Sequence, residues 1–79
     1  MYYTYILKCK DKRYYYGSCQ DLEKRLISHN AGKVKATRYR RPLFIHYFEQ
    51  FATKSEAFRR EMFFKSIDGY VWLKSEKII

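Results

Sequence analysis

Alternating apolar and polar side chains near the start of the chain predict a β-hairpin. Over residues 3–9 the odd-numbered side chains are tyrosine, leucine or cysteine, and they lie on one face of an extended strand. Residues 10–12 are polar and suit a turn, and residues 13–19 return as a second strand. A three-residue loop pairs odd-numbered residues with each other, so Tyr5 and Tyr15 should share a face.

A helical pattern follows the hairpin. Asp21 is a suitable N-cap for a helix over residues 22–30, and Gly32 suits the position just past its end. Two leucines form the apolar stripe of this helix, and Arg25 and His29 lie along its edge. We therefore expect both side chains at the seam between the helix and the surface on which it packs.

The second half of the chain predicts a loop, a strand and two helices. Residues 33–42 form the loop, and residues 43–51 form a strand rich in aromatic and branched side chains. Residues 53–56 read as a capping box that begins a helix ending at about Ser66 or Ile67. Asp68 and Gly69 should break this helix, and residues 70–76 should form a short helix carrying Trp72.

This order of elements predicts an α+β fold in which helices pack against a small three-stranded antiparallel sheet. The 79 residues should form a single domain, with a core over about residues 2–67 and a short C-terminal tail over residues 68–79. Only two cysteines are present, without CxxC spacing, so we expect reduced thiols in a cytoplasmic protein.

The charge of the chain predicts an anionic partner. Lys and Arg total 17 against 8 acidic residues, and nucleic acid is the commonest partner of so basic a chain. The cationic residues of the loop are joined by Tyr39, which could stack on an unpaired base or pack under its own loop. The predicted nucleic-acid-binding residues are Lys33, Lys35, Arg38, Tyr39, Arg40 and Arg41. A membrane surface is the competing partner, but it is not expected, because no amphipathic helix has a long lysine face. No segment approaches the ~20 apolar residues of a membrane span.

Glu61 is the most unusual polar position, because it lies within the apolar arc of the second long helix. A carboxylate at such a position is costly to bury unless it is paired or binds a metal. The alternative to metal binding is an ion pair with Lys65, one helical turn further on. Arg25 could clamp a phosphate or cover apolar surface, and His29 could move a proton or be structural.

Taken together, these residues resemble the motifs of a known family. Residues 3–7 look like the first motif of the GIY-YIG nuclease superfamily, with Tyr5 at its tyrosine. Residues 15–17 look like the second motif, with Tyr15 and Gly17 at the named positions. Gly17 within a strand also marks either a strand end or a point where another group approaches the backbone closely. The resemblance is strongest to the small stand-alone bacterial members of the superfamily.

Three further residues extend the resemblance. Arg25 stands ten residues after Tyr15, where the arginine of the family is found, and His29 follows four residues later. Glu61 matches the metal-binding glutamate of the second long helix. The resemblance implies a metal-dependent endonuclease that hydrolyses DNA phosphodiester bonds with one Mg²⁺ or Mn²⁺ ion.

The resemblance also implies roles for the residues. Glu61 would hold the ion, and Arg25 would clamp a non-bridging oxygen. Tyr5 or Tyr15 would deprotonate and orient the attacking water; Tyr5 is favoured as the base and Tyr15 as the positioning group, and His29 would assist. Larger relatives fuse this domain to a targeting module, so a separate protein partner could supply targeting in repair or recombination. The alternative is a catalytically inactive module of the same fold that binds nucleic acid. The sequence does not specify an oligomeric state.

Overall fold

The chain folds into a three-stranded antiparallel sheet with helices on both faces, in a computed structural model that describes residues 1–79. In chain order the elements are β1 (Tyr2–Lys8), β2 (Tyr14–Cys19), α1 (Leu22–Asn30), β3 (Phe44–Phe51), α2 (Lys54–Phe64) and α3 (Ile67–Ser75). Strand β1 is central, with β2 and β3 at the two edges. The predicted α+β fold class is confirmed. None of the helices is long and apolar enough to cross a membrane.

In the hairpin of β1 and β2, odd-numbered residues pair with odd-numbered residues, as predicted. Tyr5 lies opposite Gly17, and Leu7 lies opposite Tyr15. The connecting loop ends at Lys12, whose φ of 68° lies in the left-handed region. Three-residue hairpin loops commonly close through a residue in this conformation. Because odd-numbered residues pair with each other, the side chains of Tyr5 and Tyr15 are on the same face of the sheet.

The two faces of the sheet carry separate hydrophobic clusters. Tyr5 and Leu7 are buried on the face that contacts the leucines of α1. Ile6, which points to the other face, packs with Phe64 of α2 and Leu73 of α3. The alternation of side chains along β1 therefore assigns α1 to one layer and the two C-terminal helices to the other.

Both predicted helix starts are present. The side chain of Asp21 accepts a hydrogen bond from the backbone N–H of Lys24 at 3.0 Å and caps α1. Thr53 and Glu56 form a reciprocal capping box at the start of α2. Past the end of α1, Gly32 has a φ of 78°, a conformation that glycine adopts without steric cost.

The boundary between the last two helices differs from the prediction. Helix α2 ends at Phe64, before the expected end at Ser66 or Ile67. Asp68 and Gly69 do not break a helix but lie in the first turn of α3. The break is at Ser66, whose hydroxyl caps α3 by accepting a hydrogen bond from the Gly69 N–H at 3.0 Å.

Gly69 is needed for contact between helices. A Cβ atom at this position would lie 1.7 Å from the carbonyl oxygen of Phe63, so only glycine permits α3 to approach the end of α2 this closely. The approach places Leu73 at 0% exposure and stacks Trp72 on Phe64 with their rings 6.2 Å apart. The segment after residue 67 is therefore part of the hydrophobic core and not a tail outside it.

Candidate active site

A buried series of hydrogen bonds connects β1, α1 and the following loop. The hydroxyl of Tyr5 lies 3.2 Å from His29 Nε2, and His29 Nδ1 lies 2.8 Å from Thr37 Oγ1. Thr37 Oγ1 in turn donates to the carbonyl oxygen of Val34 at 3.5 Å. The exposed fractions of Tyr5, His29 and Thr37 do not exceed 1%. Thr37 ends a short 3-10 turn (Lys35–Thr37), which covers the imidazole.

Burial keeps both Tyr5 and His29 uncharged at neutral pH. It raises the pKa of the Tyr5 phenol, and the positive charge of Arg25 opposes this rise only in part. Burial also lowers the pKa of His29, and Arg25 lowers it further. A neutral imidazole has one N–H and one acceptor nitrogen. All the groups are satisfied when Tyr5 donates to Nε2 and Nδ1–H donates to Thr37.

The sequence placed Arg25 and His29 together at a helix edge, but the structure separates their environments. Arg25 is exposed, whereas His29 is fully buried. The physical reason is the loop after α1, which folds back and covers the last turn of the helix with Thr37. A helical wheel does not include a distant segment of this kind.

Tyr15 lies beside the same histidine. The ring centroids of Tyr15 and His29 are 5.0 Å apart, with the rings at 64° to each other. Tyr15 is half-buried, so it is the more accessible of the two phenols. The prediction that Tyr5 and Tyr15 share a face is confirmed by their common contact with His29.

Gly17 has a steric role opposite Tyr5. A Cβ atom on Gly17 would lie 2.4 Å from the hydroxyl oxygen of Tyr5 and 2.5 Å from its Cζ atom. The phenol ring therefore lies directly over the glycine backbone, in agreement with the close approach considered from the sequence. Gly17 allows the Tyr5 hydroxyl to reach His29.

Glu61 lies on α2, which packs on the other face of the sheet. The side chain of Glu61 is 12% exposed, and Lys65 Nζ lies 2.7 Å from its Oε2 atom, so the ion pair considered from the sequence is present. Ser18 Oγ donates to Oε1 at 2.7 Å, a contact that the sequence did not indicate. Gly17 touches Tyr5 and its neighbour Ser18 touches Glu61, so adjacent residues of β2 link the two groups.

A cleft of about 270 Å³ lies at the end of this edge strand and spans both helical layers. Its lining includes Arg25 from α1, Ser18 and Cys19 from β2, and Lys54 and Ala57 from α2. Glu61 stands one helical turn after Ala57 and contacts Ser18, so its carboxylate adjoins the cleft wall. Tyr5, Tyr15 and His29 do not line the cleft; they lie on the α1 face of the sheet.

The arginines of the loop are held by local contacts. Arg38 Nε donates to the Gly32 carbonyl oxygen at 3.1 Å, and Arg41 Nε donates to the Arg38 carbonyl oxygen at 2.8 Å. Arg40 pairs with Asp11 at 3.0 Å. These contacts hold three guanidinium groups on one exposed segment. Lys33 and Lys35 are exposed beside them.

Tyr39 projects from this basic loop with 92% of its surface exposed. The alternative in which it packs under its own loop is therefore wrong. The ends of the loop are held by Asn30, whose side chain donates to the Leu43 carbonyl oxygen at 3.0 Å and accepts from the Leu43 N–H at 2.8 Å. An exposed aromatic ring is thus presented on a segment fixed at both ends.

Residues 1–68 match the model of the GIY-YIG catalytic domain. The chain belongs to the GIY-YIG family. A UPF0213 protein of Bacillus pumilus is 47% identical over 77 residues, covering 96% of this chain and 74% of the relative. Another, from Staphylococcus saprophyticus, is 47% identical over 74 residues, covering 92% and 90%. The solution NMR structure of a UPF0213 protein from Bacillus halodurans matches with a TM-score of 0.57 and 38% identity, covering 98% of this chain and 86% of that one.

Two polar residues contact the candidate site residues but were not predicted from the sequence. Thr37 contacts His29, and Ser18 contacts Glu61. Hydroxyl residues in a loop and a strand carry no distinctive pattern, and only the folded chain brings them to their partners. With these additions, the site contains a neutral phenol–imidazole pair, an exposed guanidinium and a held carboxylate.

Proposed function

We propose that this GIY-YIG domain is a metal-dependent endonuclease that hydrolyses DNA phosphodiester bonds in repair or recombination. The observation that carries the proposal is the arrangement around β2. The Tyr5–His29 pair lies on one side, Glu61 lies on the other, and Arg25 lines the cleft between the layers. Family membership supports a nuclease, and the geometry supports a division of roles among these residues.

Arg25 would bind the scissile phosphate. It is exposed, lines the cleft and has no carboxylate partner within 4.0 Å, the limit for an ion pair. A guanidinium presents a planar fork of N–H donors that matches two phosphate oxygens and stays charged at any working pH. Charge developing on the non-bridging oxygens would therefore be stabilised at this position.

The Tyr5–His29 pair would accept the proton of the attacking water. Because burial raises the pKa of Tyr5, this phenol alone is a poor base at neutral pH. With the proton of His29 on Nδ1, the Tyr5 hydroxyl would donate to Nε2, which lies 3.2 Å away, and Tyr5 would take a proton from water as its own proton passes to the imidazole. Tyr15, the more exposed phenol, would position the water. The water oxygen then bonds to phosphorus as the bond to the leaving oxygen breaks, and that oxygen takes a proton from solvent.

Glu61 would hold the divalent ion. Mg²⁺ commonly uses only one or two protein carboxylates and keeps several water ligands. No cluster of three or more His, Cys, Asp or Glu side chains is present, and Ser18 orients one oxygen of Glu61, so the donor set fits a largely hydrated Mg²⁺ or Mn²⁺ ion. When bound, the ion would supply positive charge that stabilises the leaving oxygen.

The basic loop would bind the nucleic-acid backbone. Lys33, Lys35 and the three arginines offer phosphate contacts, which give affinity with little sequence preference. The exposed ring of Tyr39 suits stacking on an unpaired base, which favours branched or damaged DNA. We propose that a protein partner supplies further targeting. A reducing, cytoplasmic location is part of the proposal, and the two free thiols support it.

A second candidate is a nucleic-acid-binding module of the same fold that does not cut. One observation favours it: Lys65 occupies the second oxygen of Glu61, where an ion would otherwise bind. If Lys65 holds the carboxylate under all conditions, the charge of the lysine replaces that of the metal, and the site binds phosphate without hydrolysis.

A cleavage assay with two matched glutamate variants tests the proposal. Nicked, branched and single-stranded DNA are incubated with the full chain in Mg²⁺ or Mn²⁺ and then in EDTA. We expect the native chain to cleave DNA and EDTA to abolish this cleavage. We expect Glu61→Gln to lose cleavage but to keep its affinity for DNA. Glu76→Gln is the control, because Glu76 is exposed and makes no side-chain hydrogen bond or ion pair. Salt-sensitive binding without cleavage on any substrate would favour the binding module.

A further inference from the structure

Thr37 connects the basic loop to the histidine of the site. Its Oγ1 atom lies 2.8 Å from His29 Nδ1, and both side chains have 0% exposure. Water therefore does not reach this nitrogen, and Thr37 is the partner that satisfies it. No other hydrogen bond to Nδ1 is present in the structure.

The direction of this hydrogen bond determines which nitrogen of His29 can accept a proton. The Thr37 hydroxyl lies 3.5 Å from the Val34 carbonyl oxygen, so its hydrogen can point there while its oxygen accepts from Nδ1–H at 2.8 Å. The ring is neutral, so Nε2 must then be the acceptor that faces the Tyr5 hydroxyl. If Thr37 lacked its hydroxyl, a proton on Nδ1 would be buried without a partner. The imidazole would then favour the tautomer with its proton on Nε2.

Among the groups around His29, Thr37 is the one that forms a hydrogen bond with Nδ1. Tyr5 can donate or accept and so follows the choice of the ring. Tyr15 contacts the imidazole through its ring, and Arg25 acts through its charge. Neither Tyr15 nor Arg25 forms a hydrogen bond with the imidazole, so neither selects directly which nitrogen carries the proton.

We propose that Thr37 is a positioning residue that holds His29 as the Nδ1–H tautomer and thereby links the nucleic-acid-binding loop to proton acceptance at Nε2. The inference rests on the proposed function for its catalytic consequence, but not for its structural part. Thr37 ends the 3-10 turn that begins at Lys35, and Arg38 follows it directly. Contacts of these two cationic side chains with phosphate would therefore stabilise the turn that orients His29.

Substitution by isosteric and conservative residues tests the proposal. Thr37→Val removes the hydroxyl with little change of volume, and Thr37→Ser keeps the hydroxyl. The ¹⁵N shifts of the imidazole of His29 are measured by NMR across pH in the full chain, without metal or DNA. We expect the Nδ1–H tautomer in the native chain and in Thr37→Ser, and a shift toward Nε2–H in Thr37→Val. Thermal unfolding checks that each variant is folded.

Kinetics then test the catalytic consequence. Thr37→Val should lower kcat by about 10- to 100-fold, part of the ~10²–10⁴-fold that a positioned acid–base group contributes, with little change in KM. Thr37→Ser should restore most of the rate and the native pH profile. An Nε2–H tautomer in the native chain would overturn the proposal even if Thr37→Val does not fold. An unchanged tautomer in a folded Thr37→Val would also overturn it.

The two proposals fail in distinguishable ways. If the native chain never cleaves DNA, the proposed nuclease function is refuted. The tautomer measurement still tests the structural role of Thr37, because it requires neither metal nor DNA. If the native chain cleaves and Thr37→Val keeps both its tautomer and its rate, the nuclease function survives and the positioning role of Thr37 is refuted.

Discussion

The contact between Gly17 and Tyr5 predicts a measurable loss of stability in Gly17→Ala. The added Cβ atom would lie 2.4 Å from the Tyr5 hydroxyl oxygen, about 1 Å inside the 3.4 Å at which ordinary contact begins. The ring cannot swing away freely, because Tyr5 is 1% exposed and its hydroxyl is held by His29. The substitution therefore forces a shift of a buried aromatic ring.

The magnitude follows from two opposing effects. Overpacking of a buried site lowers the free energy of unfolding by about 1–3 kcal/mol. Because the overlap is severe and the ring is held in place, we expect about 2–3 kcal/mol here. Replacing glycine also reduces the entropy of the unfolded chain, which offsets about 0.4–1 kcal/mol. The net loss in the free energy of unfolding is about 1–2.6 kcal/mol. For a domain of this size, this loss lowers Tm by about 4–21 °C.

Thermal unfolding followed by circular dichroism measures this loss, and a double-mutant cycle assigns its cause. Tyr5→Phe removes the atom nearest to the new methyl group and the hydrogen bond that holds the ring. Gly17→Ala should therefore cost less in the Tyr5→Phe background, with a coupling energy of at least about 0.5 kcal/mol. A change in Tm below about 2 °C, or strictly additive effects of the two substitutions, would refute the steric reasoning.

Three further predictions concern α3, the proposed metal ligand Glu61 and the basic loop. Gly69→Ala should lower the free energy of unfolding by about 3 kcal/mol or more, because its Cβ would lie 1.7 Å from the backbone oxygen of Phe63. That oxygen cannot move unless α3 separates from α2. Denaturant unfolding measures the loss. Lys65→Met should tighten Mn²⁺ binding about two- to fivefold in a calorimetric titration, because the partly exposed pair with Glu61 contributes about 0.3–1 kcal/mol. Tyr39→Ala should weaken single-stranded DNA binding by about 5- to 150-fold without changing Tm, since one stacked base contributes about 1–3 kcal/mol.

Matched substitutions on α3 serve as controls for the Lys65 and Tyr39 variants. Lys74→Met removes the same charge away from Glu61, so it should change Mn²⁺ affinity less than Lys65→Met. Tyr70→Ala removes another exposed tyrosine, at 52% exposure, and should leave DNA affinity unchanged. Equal effects of the two lysine variants would contradict direct competition for the carboxylate. Equal effects of the two tyrosine variants would contradict stacking at the loop. A Tm for Gly69→Ala close to that of the native chain would contradict the packing described for α3.

Local signals predicted most of the secondary structure because they act within a few residues. The side chain of Asp21 and the capping box at Thr53 each satisfy backbone N–H groups of their own helix. The start of each helix can therefore be predicted from a few neighbouring residues. The pair Asp68-Gly69 was misread because glycine marks both helix ends and close helix contacts. Only the proximity of Phe63 shows that Gly69 serves a contact.

The site was predicted less completely because its contacts cross between elements. The helical wheel placed Glu61 in an apolar arc, yet Phe58 on the same arc is 52% exposed, since a wheel does not show which part of an arc another element covers. His29 was expected at an edge, but Thr37 from the next loop buries it. Motif spacing predicted the candidate site residues, while their hydrogen-bond partners depended on tertiary structure.

The paired hydrogen bonds between Asn30 and Leu43 have a consequence for engineering and divergence of this domain. They hold the end of α1 against the start of β3, and surface loops between such elements tolerate changes of length. Chains with other segments in place of residues 31–42 should fold if they keep the Asn30–Leu43 hydrogen bonds and a hydroxyl at the position of Thr37. A single amide side chain would thus let one scaffold accept different loop segments.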